Sequence, residues 1–290
     1  PWATMRLFGR GDRTRMMAVS RQAARGGGKR LHGVPEGMYR NSRSLLRSCS
    51  FSTSSTTKKK GSSWEQLMVI SRQYPDAVQL GQGYPDYEGS RVAREAAAHA
   101  LLNEPMLNQY SASAGLPRLV DALIGYYQRL HGIELKKGQI TTLTSGTEGL
   151  YTAINSVVKE GDEVLVFQPC FPWYPTMVKM CGGKVIPLNL SPPSFAPEIE
   201  AIEKSITKKT RVMLLNTPHN PTGHTYTEEE IKELARIAKK HDLWVISDEV
   251  YENVTWNDSH HRISQQPGMF ERCITIGSAS KLFSLTGWRL

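Results

Sequence analysis

The sequence predicts an α/β domain built around a mostly parallel sheet. Three observations carry that expectation. Short apolar, β-branched runs recur between residues 164 and 277 without strict in-out alternation, as in strands buried on both faces. Segments with helical periodicity separate several of these runs. Small, turn-forming and ionisable residues follow the runs, where open α/β sheets bind their ligands.

The expected strands cover 164–168, 184–188, 212–216, 243–247 and 273–277. Thr227-Glu228-Glu229-Glu230 is a capping-box pattern with Thr227 as N-cap. The helix it opens places Ile231, Leu234, Ala235 and Ala238 on one face, and Lys239, Lys240 and His241 suit its C-terminal dipole. Further upstream, helices are expected over 64–73 and 90–103. The Gly/Pro-rich Leu80-Gly81-Gln82-Gly83-Tyr84-Pro85-Asp86 lies between them as an arm.

The 290 residues carry a formal charge of +9, but unevenly. Residues 1–62 hold fourteen Lys and Arg against two Asp and Glu, a net of +12, which leaves −3 for 63–290. A slightly acidic body without a basic stripe argues against nucleic acid as a partner. The Arg- and Ser-rich leader has the composition of an organellar transit peptide, with mitochondria expected first and plastid or cytoplasm as alternatives. No run of eighteen apolar residues exists, so no membrane span is expected. Cys49, Cys170, Cys181 and Cys273 lack metal-ligand spacing and read as free thiols, and no metal is expected. The chain opens on Pro1 and stops after Gly287-Trp288-Arg289, so a longer protein is expected, and this length alone is expected to be inactive.

Five motifs carry chemistry. In Ser278-Ala279-Ser280-Lys281, Lys281 sits where an amine nucleophile would leave a strand end, its pKa lowered by burial. In Ser247-Asp248-Glu249-Val250-Tyr251, the Asp248 carboxylate can hold a heteroaromatic nitrogen protonated, and Tyr251 can donate to an oxygen of the same ring. Read as structure alone, Asp248 is a helix N-cap. The Asn216-Thr217-Pro218-His219-Asn220-Pro221-Thr222-Gly223 turn presents the amide of Asn220. Thr144-Ser145-Gly146-Thr147-Glu148-Gly149 joins an expected Thr-rich strand to a helix whose first N–H groups can cradle a phosphate. In Cys170-Phe171-Pro172-Trp173-Tyr174, an aromatic at the strand end can stack on a flat ring, or simply pack in the core.

Taken in order, these motifs resemble the class I and II aminotransferases of the fold-type-I pyridoxal-phosphate enzymes. Leu80–Asp86 and the stretch Met106–Gly115 are similar to the kynurenine aminotransferase and glutamine transaminase K branch. The resemblance covers residues 64–290. It implies a pyridoxal-phosphate large domain over 106–290, incomplete at its C-terminal end, and an arm with part of a smaller domain over 63–105. It makes Lys281 the lysine that links to the cofactor, Asp248 the partner of its pyridine nitrogen, and Asn220 and Tyr251 the partners of its phenolate oxygen. Phe171 would cover the ring, while Gly146, Thr147, Ser278 and Arg289 would bind the phosphate. Tyr110 would reach the phosphate of a neighbouring subunit, implying a homodimer. Gly83 and Asn220 would face the substrate. The arginine that grips the substrate α-carboxylate in the family falls beyond Leu290. The implied reaction is transamination of kynurenine, glutamine, or an aromatic or sulfur amino acid with a 2-oxo acid. β-Elimination from cysteine S-conjugates is the implied side activity. The alternatives are a lyase of the same fold, similar to aminocyclopropane-carboxylate synthase, or a non-catalytic protein.

Overall fold

The structure, a computed structural model, describes residues 63–290 other than 79, 80, 82, 84, 86, 257 and 258. The expected leader over 1–62 lies outside the described residues. The chain divides into two compact units between Val78 and Gln79, just ahead of Leu80–Asp86. The described part of the first unit holds one helix, α1 (Ser63–Ser71).

The second unit opens with α2 (Arg91–Asn103), where the Ser90 hydroxyl accepts from Ala93 N–H at 3.3 Å as N-cap. Helix α3 (Pro117–His131) begins on proline, whose missing N–H costs nothing there, and stops on left-handed Gly132. Helix α4 (Gly146–Val157) is capped by the Ser145 side chain. The order then becomes β1 (Glu163–Gln168), α5 (Trp173–Met180), β2 (Lys184–Asn189), α6 (Ile199–Ser205), β3 (Thr210–Asn216), α7 (Glu228–Lys240), β4 (Trp244–Asp248), β5 (Cys273–Ile276) and the short α8 (Ala279–Leu282).

The five strands form one parallel sheet in the order β2-β1-β3-β4-β5. All five expected runs are strands, with ends shifted by two residues or fewer. The inner strands β1, β3 and β4 are buried on both faces, which is why their runs lack alternation. Leu165, Phe167, Met213, Leu215 and Val245 join the core under α6 and α7. Their neighbours Val164, Val166, Val212, Leu214 and Ile246 join the core under α4 and α5. Thr227 caps α7 as expected. Its hydroxyl accepts from Glu230 N–H at 3.2 Å, and Glu230 accepts from Thr227 N–H at 2.8 Å.

The Thr-rich stretch before Thr144 is not a strand. Thr142 N–H goes to the Ala114 carbonyl at 3.0 Å and Thr144 N–H to the Glu148 carboxylate at 2.6 Å. A loop and a helix thus take donors that a ladder would need. Gly115 makes the first contact possible. It lies at φ +111°, and a β-carbon there would fall 1.9 Å from Thr142 Oγ1.

Candidate active site

The parallel register sets Asn216 beside Asp248 and Asp248 beside Ile276, so β3, β4 and β5 end level. Chain order reverses at β1, which lies between β2 and β3, and such a reversal opens a crevice at the carboxyl ends of strands. A cavity of about 180 Å³ opens at this edge, lined by residues that follow β1, β3, β4 and β5 and by the start of α4.

Asp248 lines this cavity. It is buried, and desolvation lifts its pKa to about 6, against the hydrogen bonds that favour the carboxylate. Tyr174 supplies the larger of these, its hydroxyl donating to Oδ2 at 2.5 Å, and Val250 N–H reaches Oδ1 at 3.3 Å. A turn, not a helix, follows Asp248, which removes the N-cap reading. Tyr174 sits three residues after Phe171, and the rings meet edge to face at 5.4 Å. Phe171 precedes α5, and Tyr174 N–H donates to Phe171 O at 3.1 Å, closing a turn that brings two aromatics three residues apart together. That was the available signal for Tyr174.

Lys281 comes from α8. Its Nζ lies 5.4 Å from the centre of the Tyr251 ring. Burial lowers its pKa and the Arg289 guanidinium lowers it further, while Asp248 pulls the other way. The amine therefore loses its proton more readily than an exposed lysine would. Tyr251 shifts in the opposite sense, its phenol pushed up by burial and by Asp248.

The start of α4 offers the cleft a place for an anion. Gly146 and Thr147 open α4, where backbone N–H groups have no intrahelical partner. A β-carbon on Gly146 would lie 3.3 Å from Val250 Cγ1 and 3.8 Å from Ser278 Cβ, so any larger residue would press on the Val250 side chain. Ser278 and Arg289 also line the cleft; the Ser278 hydroxyl donates to Leu290 O at 3.0 Å and Arg289 Nη1 to Thr286 O at 3.2 Å.

Asn216 fixes the loop after β3. Its Nδ2 donates to the Asp248 carbonyl at 3.0 Å, and its Oδ1 accepts from Asn220 N–H at 2.7 Å. Gly223, at φ +77°, closes the turn by donating to His219 O at 2.7 Å. Asn220 is thereby held at the cleft.

Nine of the eleven expected site residues line this one cavity, with Phe171 on its wall. The other two do not. Gly83 is exposed, with nothing within 4 Å of a β-carbon placed on it, and the Tyr110 side chain is fully exposed. Tyr174, Asn216, Ser280 and Thr286 also line the cavity, without having been assigned roles from sequence. No group of three or more His, Cys, Asp or Glu suited to a metal occurs among the described residues. A buried carboxylate, an amine of lowered pKa, an aromatic wall and an anion cradle together suit a flat basic heterocycle bearing an aldehyde and a phosphate.

Comparison with known proteins points the same way. The family model for aminotransferase class I and II matches residues 75–290. A kynurenine–oxoglutarate transaminase of Dictyostelium discoideum is 38% identical over 273 residues, covering 87% of this chain and 62% of its own. Human kynurenine–oxoglutarate transaminase 1 is 36% identical over 240 residues, with 78% and 57% covered. The crystal structure of YbdL from Escherichia coli, whose reported function is that of a methionine aminotransferase, superposes with a TM-score of 0.74. It is 32% identical, covering 78% of this chain and 60% of that one. The chain thus spans about three fifths of the length of these relatives.

Proposed function

Since the chain belongs to the class I and II aminotransferases, we propose that the full-length protein transfers an amino group from an amino acid to a 2-oxo acid. The family works with pyridoxal 5′-phosphate, and the residues present fit that group. The observation that carries the reading is the joint presence, in one cleft, of the buried Asp248 carboxylate, the Lys281 amine and the α4 N-terminus.

When bound, pyridoxal phosphate supplies an aldehyde that condenses with amines and an acceptor for the electron pair left at the substrate Cα. Asp248, as carboxylate, holds a proton on the pyridine nitrogen. Asn220 and Tyr251 hold the phenolate oxygen. Phe171, which lines the cleft, would pack against the ring and help exclude water. Gly146, Thr147, Ser278 and Arg289 anchor the phosphate. Lys281, uncharged, takes the Cα proton as general base. Its lowered pKa supports that role.

The substrate reading is kynurenine, glutamine, or an aromatic or sulfur amino acid, with cysteine S-conjugate β-elimination as a side activity. The names of the Dictyostelium and human relatives support kynurenine, and that of YbdL supports methionine. The functional unit is a homodimer, with Tyr110 donated across the interface, and its location is mitochondrial by the leader's charge. A reporter fused behind residues 1–62 with their native start should enter mitochondria, and a uniformly cytosolic signal would refute this.

The test of the reaction is keto-acid formation by full-length protein supplied with pyridoxal phosphate, 2-oxoglutarate, and kynurenine, glutamine, phenylalanine or methionine in turn. Turnover should fall on the order of a hundredfold in Asp248→Asn. No keto acid from any amino acid, or unchanged turnover in that variant, would overturn the proposal.

A further inference from the structure

A second cluster of ionisable groups lies next to the cleft without lining it. The turn after β4 closes through Glu252 N–H to Glu249 O at 3.0 Å and Val254 N–H to Tyr251 O at 2.7 Å. Asp248 and Tyr251 line the cleft from this segment. The residue after each, Glu249 and Glu252, is buried and absent from the cleft lining. Both carboxylates accept from one guanidinium: Arg262 Nη1 donates to Glu249 Oε2 and Nη2 to Glu252 Oε2.

Arg262 is only 3% exposed. Burial opposes its charge, but Glu249 and Glu252 outweigh that and hold its pKa above the ordinary value. The remaining carboxylate oxygens are also taken. The Ser247 hydroxyl donates to Glu249 Oε1 at 2.9 Å, and the Tyr126 hydroxyl donates to Glu252 Oε1 at 2.9 Å. His260 Nε2 lies 3.2 Å from Glu249 Oε2, and His131 Nε2 lies 3.1 Å from Arg262 Nη2. Tyr126 and His131 tie the cluster to α3. Two buried carboxylates this close tolerate one another only around a shared cation, and breaking such a set is costly. A stretch of five residues is therefore pinned on one side while it serves the cleft on the other.

We propose that Arg262 is a positioning residue for the cofactor site: by clamping Glu249 and Glu252 it sets the turn that aims Asp248 and Tyr251 into the cleft. The inference rests on the reading of Asp248 and Tyr251 as cofactor contacts. It assigns Arg262 no contact with cofactor or substrate.

The test uses full-length protein in four forms beside wild type: Arg262→Met, Arg262→Lys, Glu252→Gln and Asp248→Asn. Each is titrated with pyridoxal phosphate, and the visible absorbance of the bound cofactor is followed against pH. The thermal midpoint of each apoprotein is recorded in parallel. Arg262→Met should weaken cofactor binding about tenfold or more, as loss of a supporting partner does at other bound groups, and should shift the pH at which the absorbance changes. Arg262→Lys should recover part of both effects. A lower midpoint in Arg262→Met with unchanged affinity and an unchanged pH profile would make the cluster a fold-stabilising ion pair only, and the proposal would fail. If Arg262→Met does not fold, Glu252→Gln decides: weaker binding and a shifted profile support the clamp, and wild-type values overturn it. Wild-type affinity and absorbance in Asp248→Asn would instead remove the cofactor reading itself, and the clamp's purpose with it.

Discussion

Tyr174 donates its phenolic hydrogen to Asp248 Oδ2 across 2.5 Å, and both side chains are buried. The bond joins the start of α5 to the end of β4 and leaves the aspartate poised between two states. Desolvation favours the acid, and Tyr174 favours the carboxylate.

Tyr174→Phe removes the hydroxyl and keeps the ring. The Asp248 pKa, already about 6, should then rise further, because the lost bond favoured the charged form. A neutral acid cannot compensate a pyridinium, so cofactor binding should weaken from the acid side. The acid limb of the binding-versus-pH profile should move up by about one pH unit or more, the equivalent of one hydrogen bond to a charged group. Superimposable profiles would show that the bond does not tune Asp248.

Lys281→Ala should abolish transamination while leaving the phosphate contacts in place. Turnover in the full-length protein should drop by about a thousandfold or more, since nucleophile and base are lost together. Mass spectrometry after borohydride treatment should find no cofactor fixed to the variant. Reduction that still tags another lysine at full occupancy would relocate the nucleophile.

His219 gives the protein an acid-sensitive element. It is buried with Nδ1 2.7 Å from Thr222 Oγ1, and burial, then His224, lowers its pKa from 6.5 to about 4. Between those values the unfolded chain binds a proton that the folded chain refuses. Stability is therefore retained above about pH 6.5 and lost as pH falls towards 4, by at most roughly 3 kcal/mol. His219→Gln cannot titrate, so urea unfolding between pH 7.5 and 4.5 should show a shallower loss than in wild type. Parallel curves would assign the acid sensitivity elsewhere.

Gly115→Ala should destabilise by about 2 kcal/mol or more, combining a left-handed φ with a β-carbon driven into Thr142. Adding Thr142→Ala should restore part of the thermal midpoint, because it relieves the collision but not the backbone. A neutral single variant would mean that the 114–142 contact can open freely.

Much of this arrangement is legible in the sequence, and the reasons are specific. Val164, Val166, Val212 and Leu214 announce strands because two covered faces demand apolar residues at every position. Thr227 and Glu230 announce a helix start because their bonds are local. Lys281 and Asp248 stand out because an ionisable group at a strand end is unusual for packing and apt for chemistry. Tyr174 does not stand out, since a buried aromatic is ordinary core until its hydroxyl is seen on Asp248. Arg262 is harder still. In sequence it is one cation in a polar loop, and only the fold brings it to Glu249 and Glu252. The Thr-rich stretch misleads because β-propensity says nothing of whether a neighbour is there to pair with.

Asp248 and Glu249 are adjacent acids with opposite assignments, one facing the cleft and the other facing Arg262. Because neighbouring side chains on an extended chain point to opposite sides, their identities cannot be exchanged by sliding. Deleting one residue from β4 would leave an acid at the strand end, yet bring Glu249 to the cofactor side and present Val250 to the guanidinium. Such a protein would keep the Asp-Glu signature in a sequence search while losing both the electrostatics of the cleft and the anchor behind it. Aligned letters in this family are thus a weaker guide to competence than strand phase, and a one-residue gap inside β4 should be read as a lesion even when every named side chain survives.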